Sequence, residues 1–313
     1  MILITGAAGF IGYNLCDLLS KNHKIIGIDN INSYYDTRLK LARLEAIKDK
    51  IEFLKMDITN AEDLKKLRDY KIDTIIHLAA QAGVRYSVEN PQTYIDNNVT
   101  GFLNILELAR DKGARLLYAS SSSVYGNTDN KVFKETDKLQ TPLSIYAATK
   151  QMNEQMAYVF NSQYGLTTIG LRFFTVYGEY GRPDMALYKF TDKILKGEQI
   201  ELYNNGNMSR DFTYIKDCTK AIEIILNANL ANKYEIFNIA SGKQIRLIDY
   251  LNMIENSIGK KAKVKMVDMQ LGDMESTSAD ISKIKALGYN PATSAEAGIR
   301  NFTRWFKKYH AVS

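Results

Sequence analysis

Along the first 175 positions, short runs rich in β-branched residues recur at 2–5, 24–28, 51–56, 74–78, 115–119 and 167–173, with helical stretches between them. Such alternation predicts a parallel sheet carrying helices on both faces. In sheets of that kind ligands bind at the carboxyl ends of the strands, where the strand order switches direction, so the chemistry should sit just after strands. From Thr175 onward the alternation breaks into loops rich in Gly, Asn and Asp, and helix and strand return at 212–226 and 235–240. The pattern predicts an α/β core formed by 1–175, with 209–240 returning to it. A smaller, discontinuous C-terminal lobe is expected from 176–208 and 241–313.

Composition narrows the class. The chain has 313 residues, of which 45% are hydrophobic and 24% charged, the balance of an ordinary globular protein with a real core. No apolar stretch is long enough to span a membrane. The apolar start at 1–4 lacks a basic leader and runs straight into a glycine turn, so it reads as a first strand and not as a signal peptide. Cys16 and Cys218 lie far apart, with no spacing for zinc or redox chemistry. Both read as core filler in a protein of the reducing cytoplasm, and no metal site is expected. The net charge of +6 suits anionic ligands, but only Lys260, Lys261, Lys263 and Lys265 cluster, and they read as a solvated edge rather than a nucleic-acid site.

The first strand runs into Gly6-Ala-Ala-Gly9-Phe10-Ile11-Gly12 and then into an amphipathic helix expected to begin near Tyr13. Glycines there permit a tight turn and close backbone approach, while a helix N-terminus offers N–H groups and a positive dipole end to a pyrophosphate. Placed between strand and helix, the motif points to a Rossmann-like dinucleotide site. The second strand ends at Asp29, about the right distance on for a carboxylate that holds an adenosine ribose. A 2′-phosphate would be repelled there, and the nearest arginine in sequence is Arg38, so NAD is favoured over NADP. The alternative for Asp29 is a helix N-cap.

After the fifth strand comes Ser120-Ser121-Ser122-Ser123-Val-Tyr-Gly126, and further on Tyr146-Ala-Ala-Thr-Lys150. Spacing of four puts Tyr146 and Lys150 on one helix face. A free tyrosine titrates near 10, so its use as a base at neutral pH needs a shift of roughly three units, or about 4 kcal/mol. The Lys150 ammonium and a positive nicotinamide ring are the evident sources. A Tyr and a Lys four apart also arise by chance in many helices; the glycine turn and the serine run give this pair its weight.

Taken together, Gly6-x-x-Gly9-x-x-Gly12, Asp57-Ile58, His77-Leu-Ala-Ala80, the serine run and Tyr146-x-x-x-Lys150 resemble the extended short-chain dehydrogenase/reductase family. More narrowly, the runs from His77 to Ser87, from Tyr118 to Gly126 and from Arg172 through Gly178 to Ala186 resemble the UDP-glucuronate 4-epimerases. The likeness continues through Arg210-Asp-Phe-Thr-Tyr-Ile215 and Gly272-Asp273 to Ile281, so it covers both lobes. It implies NAD-dependent 4-epimerisation of UDP-glucuronate to UDP-galacturonate through a 4-keto sugar. Tyr146 is implied as the base, Ser121 as the residue that bonds the same oxygen, and Lys150 as the holder of the nicotinamide ribose. Cofactor contacts are implied for Gly6, Gly9, Phe10, Ile11, Gly12, Asp29, Asn30, Asp57, Ile58, Leu78, Ala79, Ala80, Asn97 and Phe174. The substrate is implied at Arg85, Ser121, Ser122, Ser123, Thr175, Arg182, Met185, Tyr203, Arg210 and Asp273, where Arg210 grips the diphosphate, Tyr203 lies near the uracil and Asp273 holds the uridine ribose.

Two departures discriminate among relatives of this kind. Sugar-nucleotide dehydratases carry Asp-Glu where this chain has Ser122 and Ser123, and decarboxylases keep the Glu. Neutral hydroxyls there suit a sugar carboxylate, together with Thr175 and Arg182; the alternative for Arg182 is a surface salt bridge. A second diphosphate arginine is replaced by Gln270, and Thr277 stands where galactose epimerases place a bulky tyrosine. A 4-epimerase of UDP-GlcNAc or of its uronate therefore stays open, and a non-catalytic NAD-binding regulator is the third reading. The resemblance also implies a homodimer, through a four-helix bundle built from 91–110 and 146–164, although those apolar positions fit internal packing as well.

Overall fold

A computed structural model describes residues 1–128, 130, 132–269 and 276–311. Its strands, in chain order, are β1 (Ile2–Thr5), β2 (Ile25–Asp29), β3 (Glu52–Lys55), β4 (Thr74–His77), β5 (Arg115–Ser121), β6 (Thr168–Phe173), β7 (Thr175–Tyr177), β8 (Gln199–Tyr203), β9 (Ser209–Tyr214), β10 (Tyr234–Ile239), β11 (Gln244–Arg246) and β12 (Lys263–Val267). The chain divides into two compact units, the first being Met1–Thr128, Glu135–Phe173 and Glu223–Phe237, the second Asp129–Lys134, Phe174–Ile222 and Asn238–Ser313.

The first unit is built on a seven-stranded sheet of order β10-β6-β5-β4-β1-β2-β3. Strands β1 to β6 all pair in parallel. From β1 the chain steps outward to β2 and β3, then crosses back to lay β4 on the other side of β1. That reversal lies between β1 and β4, and in open parallel sheets it marks the ligand crevice. Strands β1, β4 and β6 are buried at every position, as a sheet covered on both faces demands. Leu3, Ile26, Ile75 and Leu116 of the sheet pack with Phe102, Ile105 and Ala157 of the helices in one core. Each of these Leu, Ile and Phe side chains contributes on the order of 1.5–3 kcal/mol relative to exposure.

Two helices of this unit differ from the sequence expectation. The first begins at Phe10, not near Tyr13, because extended Gly9 serves as its N-cap. The stretch expected as one helix over 91–110 is α-helical at Pro91–Tyr94, widens to a π-helix at Ile95–Thr100 and resumes as α-helix at Gly101–Lys112. Asn98 lies in the wide turn, its side chain taken up by the backbone of Gln81. The long helix Ile145–Tyr164 starts where the Ser144 hydroxyl accepts the Ala147 N–H and ends at left-handed Gly165.

In the second unit β7 pairs in parallel with β9, β9 pairs antiparallel with β11, and β8 and β12 form a separate parallel pair. The helices Ala186–Lys196 and Ala295–His310 both pack against Leu247–Ile258. Its interior is aromatic: the rings of Phe212 and Tyr250 stack at 3.8 Å and 2°.

Candidate active site

At the strand-order reversal, Gly6 follows β1 with φ of +73°, a conformation that L side chains rarely adopt. A Cβ on Gly12 would stand 2.0 Å from the Gly6 carbonyl oxygen. The loop therefore keeps its shape only with glycine there, and the helix Phe10–Leu19 opens on Gly9 with no side chain capping its first turn. Thr5 ties this turn to the segment after β4: its hydroxyl accepts the N–H groups of Leu78 and Ala79 and lies 2.8 Å from His77 Nδ1. Burial, and secondarily the positive charge of Lys150, push the His77 pKa down to about 3, so the ring is neutral.

The Asp29 carboxylate accepts the N–H groups of Ala8 and Ile31, bracing the glycine turn from the end of β2. Asn30 donates to Asp57, which also takes the N–H and hydroxyl of Thr59. Burial alone would raise the Asp57 pKa, but these hydrogen bonds outweigh it and hold it below the usual carboxylate range. Phe10 and Ile58 are buried, Ile11, Leu78, Ala79 and Ala80 half-buried, and Asn97 donates to the Thr93 carbonyl inside the wide helical turn. These residues form a cradle suited to a dinucleotide: a tight glycine turn, an open helix N-terminus and carboxylates at the neighbouring strand ends. Phe174 falls in the second unit, where its ring lies 6.3 Å from that of Phe133.

The proton-transfer candidates also stand in the first unit. Ser121 closes β5, and its Oγ accepts the Ser123 N–H while donating to Ser123 Oγ, at 3.2 Å in each case. Lys150 is 2% exposed, and its ammonium donates to the Ala119 carbonyl at 2.8 Å. Burial lowers the Lys150 pKa to about 8, partly offset by the charge of Glu154. The Tyr146 ring sits edge-on to that of Tyr94, at 6.1 Å between centroids. Ser122 is half-buried and Arg85 exposed.

Among the substrate candidates of the second unit, Thr175, Arg182 and Met185 line one cavity, together with Tyr177, Phe212 and Phe302. Arg182 holds Asp184 through two N–H···O bonds, Nε to Oδ1 at 3.0 Å and Nη2 to Oδ2 at 2.5 Å. Burial opposes ionisation of Asp184, yet the charge and hydrogen bonds of Arg182 keep its pKa below the ordinary value. Arg210 lies on β9 and donates to the Ser209 carbonyl; Tyr203 ends β8 and donates to Glu201. Asp273, with Gln270, lies outside the described residues.

Sequence spacing gave no role to several residues that the fold places at these sites. Fully buried Arg43 donates to the Ala8 carbonyl of the glycine turn and to the Tyr35 hydroxyl. Glu154, Arg172 and Ser120 form a buried network beside Lys150. Asp184 is the partner that Arg182 selects. The one local clue was Glu154, one helical turn beyond Lys150.

A parallel sheet with a glycine turn at its switch point, and a Tyr and Lys one turn apart, defines a dinucleotide-dependent enzyme. Comparison with known proteins agrees: residues 2–240 match the model of the NAD dependent epimerase/dehydratase family. A UDP-glucuronate 4-epimerase of Thermodesulfobacterium geofontis is 42% identical over 313 residues, covering 98% of this chain and 96% of that protein. The crystal structure of a UDP-glucuronic acid 4-epimerase from Bacillus cereus, in complex with UDP-glucuronic acid and NAD, superposes with a TM-score of 0.93 at 34% identity, covering 98% and 99% of the two chains. A UDP-N-acetylglucosamine 4-epimerase from Methanobrevibacter ruminantium, in complex with UDP-N-acetylmuramic acid, gives 0.89 at 30% identity over 98% of each chain. The chain belongs to the NAD dependent epimerase/dehydratase family, and it is an NAD-dependent isomerase.

Proposed function

We propose that this protein is a UDP-sugar 4-epimerase that interconverts UDP-glucuronate and UDP-galacturonate. The feature that supports the uronate reading is Arg182, which borders a small cavity of about 20 Å³ with Thr175 and Met185; its guanidinium forks onto Asp184 in this structure, so a sugar carboxylate would have to displace that partner and widen the cavity. Planar two-point contact is what a guanidinium offers to a carboxylate and not to a neutral hydroxymethyl group. Ser122 and Ser123 in the first unit are neutral donors, and no acid stands there to drive water elimination. The relatives named above are mostly, though not all, uronate epimerases, which supports the same choice.

In this reading NAD, held by the glycine turn and by Asp29 and Asp57, supplies a reversible hydride acceptor for C4. Tyr146 takes the proton of the sugar 4-hydroxyl as the C4–H bond breaks, and gives it back to the same oxygen as the hydride would return to the opposite face of C4 in the turned-over ketone. Ser121 hydrogen-bonds that oxygen, and Lys150 holds the nicotinamide ribose and lends positive charge to the phenolate. In the second unit Arg210 holds the diphosphate and Tyr203 flanks the base. A ketone at C4 of a hexuronate makes a β-keto acid, which loses carbon dioxide when the breaking bond aligns with the carbonyl π system. Donors fixed on the carboxylate prevent that alignment.

The working form we propose is a cytoplasmic homodimer. Cys16 and Cys218 are both buried and free, in keeping with a reducing compartment, and no helix among the described residues is long and apolar enough to cross a membrane. On the helix Ile145–Tyr164, the residues Ile145, Met152 and Val159 are exposed at intervals of seven, and Ile95 and Leu103 are exposed on the stretch 91–112. Apolar side chains at that spacing make a seam for a second copy of the same two helices.

The test is to incubate the protein with UDP-glucuronate, UDP-glucose and UDP-GlcNAc separately and to follow the 4-epimers by proton NMR. UDP-galacturonate should form fastest. Arg182→Leu should lose that activity and divert product to a 4-keto pentose. Equal or faster turnover of UDP-GlcNAc would overturn the uronate assignment and leave the epimerase class standing.

A further inference from the structure

Beside the proposed proton-transfer pair lies a second set of buried charges. Glu154 follows Lys150 by four residues on the same helix, which is the spacing of a helical ion pair. The structure commits its carboxylate elsewhere. Arg172 on β6 donates from Nε to Oε1 at 2.9 Å and from Nη2 to Oε2 at 2.8 Å, with the two side chains 4% and 3% exposed. The Ser120 hydroxyl donates to Oε1 at 2.6 Å. Ser120 and Arg172 face each other in the β5–β6 register, and the guanidinium lies over the Tyr125 ring, 4.7 Å from its centroid. Lys150 meanwhile donates to a neutral acceptor, the Ala119 carbonyl.

We propose that Arg172 is a positioning residue for the epimerisation: by holding both oxygens of Glu154 it keeps that carboxylate from capturing the Lys150 ammonium, whose charge stays available to Tyr146. Two buried cations face one buried anion, and the fork of Arg172 decides which cation is neutralised. A bidentate guanidinium wins over a single ammonium because two charge-assisted bonds in fixed geometry exceed one. The groups that face this cluster are consistent with that assignment. Tyr146 and Glu154 lie on the helix of Lys150; His77 on β4 is held neutral; Tyr118 on β5 and Tyr234 on β10 are pushed up by burial, Tyr234 to about 12. Arg172 is itself held above its ordinary value, because the hydrogen bonds and charge of Glu154 outweigh the cost of burial. The inference rests on the reading of Tyr146 and Lys150 as the proton-transfer pair.

The experiment is the pH dependence of kcat for Arg172→Gln, Glu154→Gln and the double variant, with bound NAD and Tm measured on each, and with Tyr146→Phe as control. In Arg172→Gln, Glu154 is released to Lys150, so the ascending limb should move up by about one pH unit and the rate below that limb should fall about tenfold. Glu154→Gln should not move the limb upward. In the double variant, which removes both charges, the limb should return to its parental position even if Tm stays low. Loss of Tm in every variant with the limb unmoved would overturn the proposal and leave the pair as packing. Should Arg172→Gln not fold, the comparison of Glu154→Gln with the double variant decides, since any further shift on removing Arg172 there contradicts a role exercised through Glu154. An active Tyr146→Phe would instead sink the underlying reading, and a dead Tyr146→Phe beside an unmoved Arg172→Gln profile would sink this inference alone.

Discussion

Lys150 illustrates how a single residue trades stability for chemistry. Its pKa falls from 10.5 to about 8 on burial, a cost of about 3 kcal/mol to the folded state at neutral pH. The folded value lies below the unfolded one, so the cost is present in full below pH 8 and disappears as the pH rises to 10.5. Lys150→Met, stripped of NAD, should therefore be more stable than the parent at pH 7, by about 2 kcal/mol once the orphaned Ala119 carbonyl is discounted. The advantage should close by pH 10.5, and turnover should be lost throughout. Urea unfolding at pH 7 and pH 10 measures both ends; an advantage that widens with pH would contradict the assigned burial cost.

At the scale of elements, the cofactor cradle is a strand, a turn and a helix that fit only when the turn lacks Cβ atoms. A methyl on Gly12 would overlap the Gly6 carbonyl, a backbone atom with nowhere to rotate. We expect Gly12→Ala to purify without NAD and to lose activity at least a hundredfold, on the order of 3 kcal/mol of binding. Denaturing the protein and assaying the released nucleotide is the check, and a full complement of NAD would show that the helix can shift to admit the methyl. The wide turn at Ile95–Thr100 is an element that periodicity could not foresee. Within it Asn98 binds the Gln81 backbone and the Thr149 hydroxyl through its side chain and accepts Asn153 at its carbonyl, contacts far away in sequence.

For the whole molecule, the stripe of Ile145, Met152 and Val159, spaced at intervals of seven, bears on assembly. Placing carboxylates at two of those positions, as Met152→Glu with Val159→Glu, should convert a dimer to monomers, because each buried apolar side chain in a seam is worth about 1.5–3 kcal/mol and each buried unpaired charge costs more. Light scattering reads the mass directly. A parent that is already monomeric would remove the dimer from the reading, and a double variant that stays dimeric would move the interface to another face.

What the sequence alone determined is what local pattern can encode. The runs at 2–5, 74–78 and 167–173 are short and rich in β-branched residues, and their alternation with helical stretches specified a sheet covered on both faces. Three spaced glycines specified a turn that no other residue fits, and spacing of four put Tyr146 and Lys150 on one face. These signals are carried by neighbours in the chain. Only the tertiary structure decided which charges meet. Arg43 reaches the glycine turn from 35 residues away, and Arg172 takes Glu154 across 18 residues. Arg182, expected to hold a sugar carboxylate with a salt bridge as the alternative, forms a salt bridge to Asp184 two residues on. A buried ion chooses its partner by desolvation and by the number of hydrogen bonds it can make, quantities fixed by packing and not by distance along the chain.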